Sequence, residues 1–255
     1  QAAIKKPDKK DLALIYSENE AVVSGMFTTN NIKAAPVKLD MKKIKTGKGQ
    51  AIVVNSGNAN ACTGEQGMKD AIEMTELTAK ALGLKTNKVY VCSTGVIGIP
   101  MPMERIRPKI SELANNLGKA TIYDVAAAIM TTDAFPKALS KRIKINGKTI
   151  TISGICKGAG MICPNMATML SFIMTDSNIE KKALDTALKN AVNISFNRIT
   201  IDGDMSTNDT VLIMANGMAG NNLIKINSKE FEIFAESVSD ITYELSRMIV
   251  KDGEG

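Results

Sequence analysis

The sequence predicts a layered α/β fold, on three observations. Apolar strand-like runs alternate with amphipathic helical segments along the whole chain. Hydrophobic residues make up 44% of its 255 positions, enough for a core in one large domain or two small ones. No internal repeat, low-complexity tract or Pro/Gly/Ser linker divides it.

Residues 11–27, DLALIYSENEAVVSGMF, predict two short strands joined by a polar turn at Ser17–Glu20. QAIVVNSGNANACTG (50–64) predicts a buried strand running into a small-residue loop, and MKDAIEMTELTAKALG (68–83) an amphipathic helix stopped by Gly83. KVYVCSTGVIG (88–98) predicts another strand and a Gly loop. Pro100 and Pro102 precede helices over 104–116 and 123–131. KRIKINGKTITIS (141–153) alternates apolar and polar residues around Asn146-Gly147, a type I′ hairpin signal because both central residues need positive φ. A helix is expected near 178–191, then strand, polar loop and strand over 197–217. A long helix closes the chain, with Asn227 and Glu230 as capping box. Its apolar stripe is Phe231, Phe234, Val238, Ile241, Leu245 and Met248.

Composition excludes several classes. No apolar run reaches about 18 residues, so no membrane span is expected. The first residues lack a signal-peptide apolar region, and Gln1 suggests a trimmed N-terminus. Net charge is +6, but the lysines are scattered, Trp is absent and only 4% of residues are aromatic. That pattern fits a basic surface that draws anionic substrates rather than a nucleic-acid site. Cysteines 62, 92, 156 and 163 have no CxxC spacing and no histidine to join them, so no Cys/His zinc site is expected. They read as buried thiols of a reducing compartment.

The absence of histidine also removes Ser-His-Asp and Cys-His catalysis. Neither GxGxxG nor a P-loop occurs; Gly158 and Gly160 are followed by no phosphate-binding lysine. One nucleophile needs no histidine: a threonine whose own α-amine is the base. Such an amine has a pKa near about 7.7–8.0 and is partly neutral at pH 7. The stretch PNMATML (164–170) offers an Ala167-Thr168 bond with a small residue before the threonine. Attack of the Thr168 hydroxyl on the Ala167 carbonyl would give an ester, and hydrolysis would free Thr168 as a new N-terminus. By β propensity alone Thr168 is an ordinary strand residue, and both readings stand at this point.

KGAGMICPNMATML (157–170) resembles the self-cleavage segment of the ornithine acetyltransferase family, the glutamate N-acetyltransferases of the cyclic arginine pathway. GMFTTNNIKAAPV (25–37), NSGNANACTG (55–64), CSTGVIG (92–98), MTTDAFPKA (130–138), NRITIDGDMSTNDTV (197–211) and VKDGEG (250–255) resemble further family segments, in the same order. The resemblance implies an α-β-β-α sandwich of the aminopeptidase/ornithine acetyltransferase superfamily. It implies one domain over 1–255, cut into residues 1–167 and 168–255, with the two pieces associated in a heterotetramer in the cytoplasm. It also implies acetyl transfer from N2-acetylornithine to glutamate through an acetyl-Thr intermediate, with no metal and no obligatory cofactor; some members accept acetyl-CoA as donor.

Residue by residue, the resemblance makes Ala167 and Thr168 the cleavage site and Thr168 the nucleophile. The Thr94 hydroxyl and Gly95 N–H become the oxyanion hole, and Thr131, Lys157, Thr168 and Glu254 substrate contacts. An ammonium suits an α-carboxylate, and Glu254 would suit the ornithine side-chain ammonium. On their own, STGVIG is a turn after a strand, Lys157 a surface lysine and Glu254 a solvated terminal acid. NSGNANACTG is a tight polar loop near the site. Ala134 and Cys163 depart from the Thr and His expected in many relatives, and the family's further C-terminal segment, with an Asn and a Thr for the pocket, is not in this sequence. Two rival readings follow: a Thr-nucleophile aminopeptidase or amidase of the same fold, and an inactive shortened homologue.

Overall fold

The computed structural model describes residues 1–5, 9–163 and 169–254. The N-terminal strand is not two strands but one, β1 (Leu12–Phe27). The polar Ser17–Glu20 stretch is a register shift within it, between Tyr16 and Ala21, not a turn. The first half of β1 pairs antiparallel with β2 (Lys48–Asn55), and from Val22 onward it pairs antiparallel with β7 (Thr210–Ala215). The bulge lets one strand serve two neighbours and change its course.

Between β1 and β2 lies α1 (Ala35–Lys43), entered at Pro36. α2 (Gly64–Leu82) ends at Gly83 in the left-handed region, φ 67°, as a glycine stop requires. β3 (Val89–Ser93) pairs parallel with β2. α3 (Met103–Asn115) follows, then α4 (Ile122–Ile129), whose capping box joins Thr121 and Asp124. β4 (Lys137–Ile145) and β5 (Lys148–Lys157) form the expected hairpin, with φ of 48° at Asn146 and 77° at Gly147.

β6 (Leu170–Thr175) pairs antiparallel with β5 and parallel with β7. α5 (Lys181–Ile194) is where a helix was expected. The strand expected after residue 197 is absent; residues 196–198 form a 3₁₀ turn and only β7 remains. α6 (Lys229–Lys251) is capped by Ser228, whose side chain accepts from the Phe231 N–H. Asn227 sits one residue earlier at φ 68°, and Glu230 accepts from the Asn146 amide at 2.8 Å instead of closing a box. Two cysteines also depart from the buried expectation: Cys62 is exposed and Cys163 partly so, while Cys92 and Cys156 are buried.

The seven strands among the described residues form one sheet, ordered β3-β2-β1-β7-β6-β5-β4. Its outer face is covered in two places. α1–α3 bury Ala51, Val53, Val89 and Val91 on one half; α5 and α6 bury Ile150, Ile152, Ile173 and Ile213 on the other. The alternate residues Val23, Ile52, Tyr90, Phe172 and Leu212 point to the opposite face and form one cluster with α4. An eight-residue helix is too small to bury that whole face, so the halves of the sheet close on each other. The layers are helix, half-sheet, half-sheet, helix, as expected. No helix among the described residues is long and apolar enough to cross a membrane.

Candidate active site

A cavity of about 710 Å³ opens where the ends of β2, β3 and β5 meet the N-terminal segment and the end of α6. Thr94, Gly95, Thr131, Lys157 and Glu254 all line it. Four separate segments thus deliver five of the residues singled out from the sequence. Ala167 and Thr168 lie outside the described residues.

One wall is a pair of loops zipped together. The Gly57 and Val96 main chains bridge, Ala59 N–H donates to Val96 O at 2.9 Å, and Thr94 N–H donates to Asn55 O at 3.0 Å. Gly95 has φ 129°, and a Cβ there would come 2.5–2.7 Å from the backbone of Gly57 and Asn58. Only glycine permits both that conformation and that approach. Neither the Gly95 N–H nor the Thr94 hydroxyl has an acceptor among the described residues. Two donors side by side, uncommitted and facing a cavity, are what an oxyanion hole requires.

The NSGNANACTG loop now has a physical role. Its asparagines stand in for missing main-chain partners. Asn55 Oδ1 accepts from the Gly57 and Asn58 N–H groups, and Asn58 Nδ2 donates to Ile99 O and Pro100 O at 3.0 and 3.1 Å. Asn60, at φ 48°, donates to Gly67 O at 2.8 Å. From the far side Asn208 Nδ2 donates to Ala59 O and Ser93 O at 2.6 and 2.7 Å. A buried loop without a sheet ladder must be satisfied this way.

The opposite wall carries charge. Lys157, the last residue of β5, is 3% exposed. Burial pushes its ammonium down, with the Asp133 and Asp209 carboxylates opposing the fall. Burial alone would push the Asp133 carboxyl up. The Lys157 and Lys137 ammoniums and the Gly158 N–H hold it below the ordinary carboxylate range instead. Asp133 also accepts from the Thr131 N–H at 2.9 Å and so fixes that cavity-lining residue. Lys137, fully buried, bonds Asp133 at 2.7 Å and Asp252 at 2.5 Å. Asp252 ties the end of α6 to this wall, and Glu254 N–H donates to Ala159 O at 2.8 Å, holding Glu254 at the cavity.

Beside the cavity, Met169 N–H donates to Asp209 Oδ1 at 2.9 Å, and Thr210 N–H donates to Met169 O. Asp209 is fully buried, and burial pushes its carboxyl well above the ordinary range. The residue after Thr168 is therefore anchored at the head of β6. Asp133, Lys137, Asn208 and Asp209 had no signal of their own in the sequence; only their place inside MTTDAFPKA and STNDTV set them apart. No cluster among the described residues could hold a metal ion.

The ArgJ family matches residues 1–255, the whole sequence. The chain belongs to the ArgJ family. Among its relatives, the arginine biosynthesis bifunctional protein ArgJ of Caldanaerobacter subterraneus is 55% identical over 250 residues, which are 98% of this chain and 62% of that protein. ArgJ of Geobacter sulfurreducens is 54% identical over 255 residues, covering 100% of this chain and 65% of that one. The chain therefore spans under two-thirds of the length of these curated relatives. Of solved structures, ArgJ from Bacillus halodurans matches with TM-score 0.59 and 40% identity, over 65% of this chain and 87% of that one. The ornithine acetyltransferase of Mycobacterium tuberculosis, solved with ornithine, matches with TM-score 0.55 and 33% identity, over 64% and 87%. An aminopeptidase of Ochrobactrum anthropi, a variant of the Ntn hydrolase fold, matches 98% of this chain and 81% of that one with TM-score 0.55. At 12% identity it bears on the fold alone.

Proposed function

We propose that this ArgJ chain is the self-processing, acyl-accepting part of an acetyltransferase that moves acetyl from N2-acetylornithine to glutamate in the cytoplasm. The observation that carries the reading is the convergence of Thr94, Gly95, Thr131, Lys157 and Glu254 on one cavity. Met169, which follows Thr168 in the sequence, is held by Asp209, the neighbour of the cavity-lining Asn208. A further support is the extent of the solved ArgJ and ornithine acetyltransferase chains. They match 65% and 64% of this chain, close to the share that residues 1–167 make up.

In the first step the Thr168 hydroxyl attacks the Ala167 carbonyl, the scissile nitrogen leaves as the α-amine, and water hydrolyses the ester. The products are an Ala167 carboxylate and a free Thr168 amine. That amine then takes the hydroxyl proton as Thr168 attacks the acetyl carbonyl. The Thr94 hydroxyl and Gly95 N–H receive the oxyanion, Lys157 the α-carboxylate, and the proton passes to the departing ornithine amine. Glutamate's α-amine reverses these steps and leaves as N-acetylglutamate. No step requires a cofactor; acetyl-CoA could serve as an alternative donor to Thr168. The two pieces stay associated as a heterotetramer.

Intact mass of the purified protein is the test. Two pieces divided at Ala167/Thr168, the second gaining an acetyl group from N2-acetylornithine and losing it to glutamate, support the reading. A single uncut species, or acetate release indifferent to glutamate, overturns it.

A further inference from the structure

The proposed donor and acceptor share an α-carboxylate and an α-amine but differ in side-chain charge. One bears an ammonium, the other a carboxylate. A common subsite must offer both an anion and a cation. Lys157 is committed to the shared carboxylate in the reading above, on which this inference rests, and Glu254 suits the ammonium. The cation for the acceptor's side chain is so far unassigned.

Among the described residues three lysines line the cavity: Lys5, Lys9 and Lys157. Lys9 is exposed, whereas Lys5 is half-buried in the wall. Its ammonium donates to Met130 O and, at 3.1 Å, to Lys10 O, which leaves one of its three protons uncommitted. It forms no ion pair among the described residues. Asp11, the described acid that acts most on it, spends its two carboxylate oxygens on the Ala2 and Ile4 N–H groups at 2.7 and 2.8 Å. Asp133, which also acts on Lys5, is held by Lys137. A half-buried cation that has no ion-pair partner among the described residues, in the wall of a cavity, can take one anion.

The placement of Lys5 is built, not incidental. Asp11 is fully buried and clamps the strap Ala2–Lys5 by two main-chain bonds. Arg105 donates to Ala3 O at 2.8 Å. Ala3 has φ 54°, which a non-glycine residue keeps only when its surroundings hold it. Ile4 lies against Gly57, where a Cβ would overlap it, and Gly57 is the residue on which Gly95 packs. The strap is thus keyed to the oxyanion loop through one glycine. We propose that Lys5 is the cation that receives the side-chain carboxylate of the acyl acceptor, so that the strap sets acceptor specificity.

The test separates the half-reactions in the whole protein. Lys5→Met should be cut, and acetylated by N2-acetylornithine, at a rate within about twofold of wild type. Its KM for glutamate should rise about tenfold or more, the loss of a charge-assisted bond. Its KM for glutamine, which has no side-chain carboxylate, should barely move, and Lys5→Arg should recover most of the glutamate KM. Equal slowing of both half-reactions, or an unchanged glutamate KM in an acetylated Lys5→Met protein, overturns the inference alone. A wild-type protein that forms no acetyl-enzyme overturns the acetyltransferase reading and this inference with it.

Discussion

On the Gly95 side of the cavity the side chains that satisfy the buried loops are mainly neutral amides; on the Lys157 side they are charges. Asn55, Asn58, Asn60 and Asn208 satisfy the loops behind Gly95 without placing a formal charge near it. Asp133, Lys137, Asp252 and Lys157 form a buried ionic cluster that fixes Thr131 and the end of α6. The difference follows from what each wall must do. A fixed carboxylate behind the oxyanion hole would oppose the negative charge that develops there, and a fixed cation would favour the ground state as well as the transition state. In the proposed reaction the other wall receives carboxylates that are charged from the start, so a cation kept in place by balanced acids would suit it.

The sharpest way to break that contrast is Lys137→Met. It would leave Asp133 and Asp252 facing each other in the interior, and urea denaturation should show a loss of about 3–5 kcal/mol. A loss below about 1 kcal/mol would make the cluster equivalent to a surface pair such as Lys10–Asp124, and the contrast would fail. On the neutral wall the first effect is on rate. Thr94→Val removes one oxyanion donor and should slow formation of the acetyl-enzyme by about 10²–10³-fold, read by intact mass over time. Urea stability of that variant should stay close to wild type. A rate within threefold of wild type would remove Thr94 from the hole.

The neutral wall was also the least legible part of the sequence. The periodic segments, α2 with its Gly83 stop and the Asn146-Gly147 hairpin, follow from local chemistry and stand where expected. The β1 bulge and Ser228 as cap were misread because four polar residues signal a turn equally well and Asn227 caps as readily as Ser228 on propensity. The asparagine loop could not be read from local rules at all: the partners of Asn58 and Asn60 are carbonyls 41 and 7 residues away, which only the fold supplies. Thr94, Gly95, Thr131, Lys157 and Glu254 were legible through resemblance, while Asp133 and Lys137 act through burial, which composition does not reveal. Asn58→Ala tests that loop directly. It strands the Ile99 and Pro100 carbonyls and the Asn60 N–H, and should cost about 1–3 kcal/mol in urea denaturation. A neutral result would mean that water replaces the amide and the loop is less enclosed than its burial implies.

The smallest expected effect concerns the charged wall and pH. Burial pushes the Lys5 ammonium down to about 8; Asp11 opposes the fall, Lys157 and Lys9 add to it, and Asp133 opposes it again. Lys5 is therefore a cation at pH 7 and loses its proton as pH rises through 8. If it binds the acceptor's side-chain carboxylate, glutamate binding weakens over that range. Glutamate and glutamine share the α-amine and the α-carboxylate, so the titration of Lys157, whose ammonium is also pushed down, and of the attacking amine cancels in the ratio of their KM values. That ratio, glutamate over glutamine, should rise by up to about tenfold from about pH 7 to about pH 9, as the charged fraction of a group near 8 falls. Lys5→Arg, whose guanidinium keeps its charge throughout, should flatten the rise. A ratio that stays constant in the wild type would take the charge of Lys5 out of acceptor recognition and leave the contrast between the walls to Lys157 and its acids.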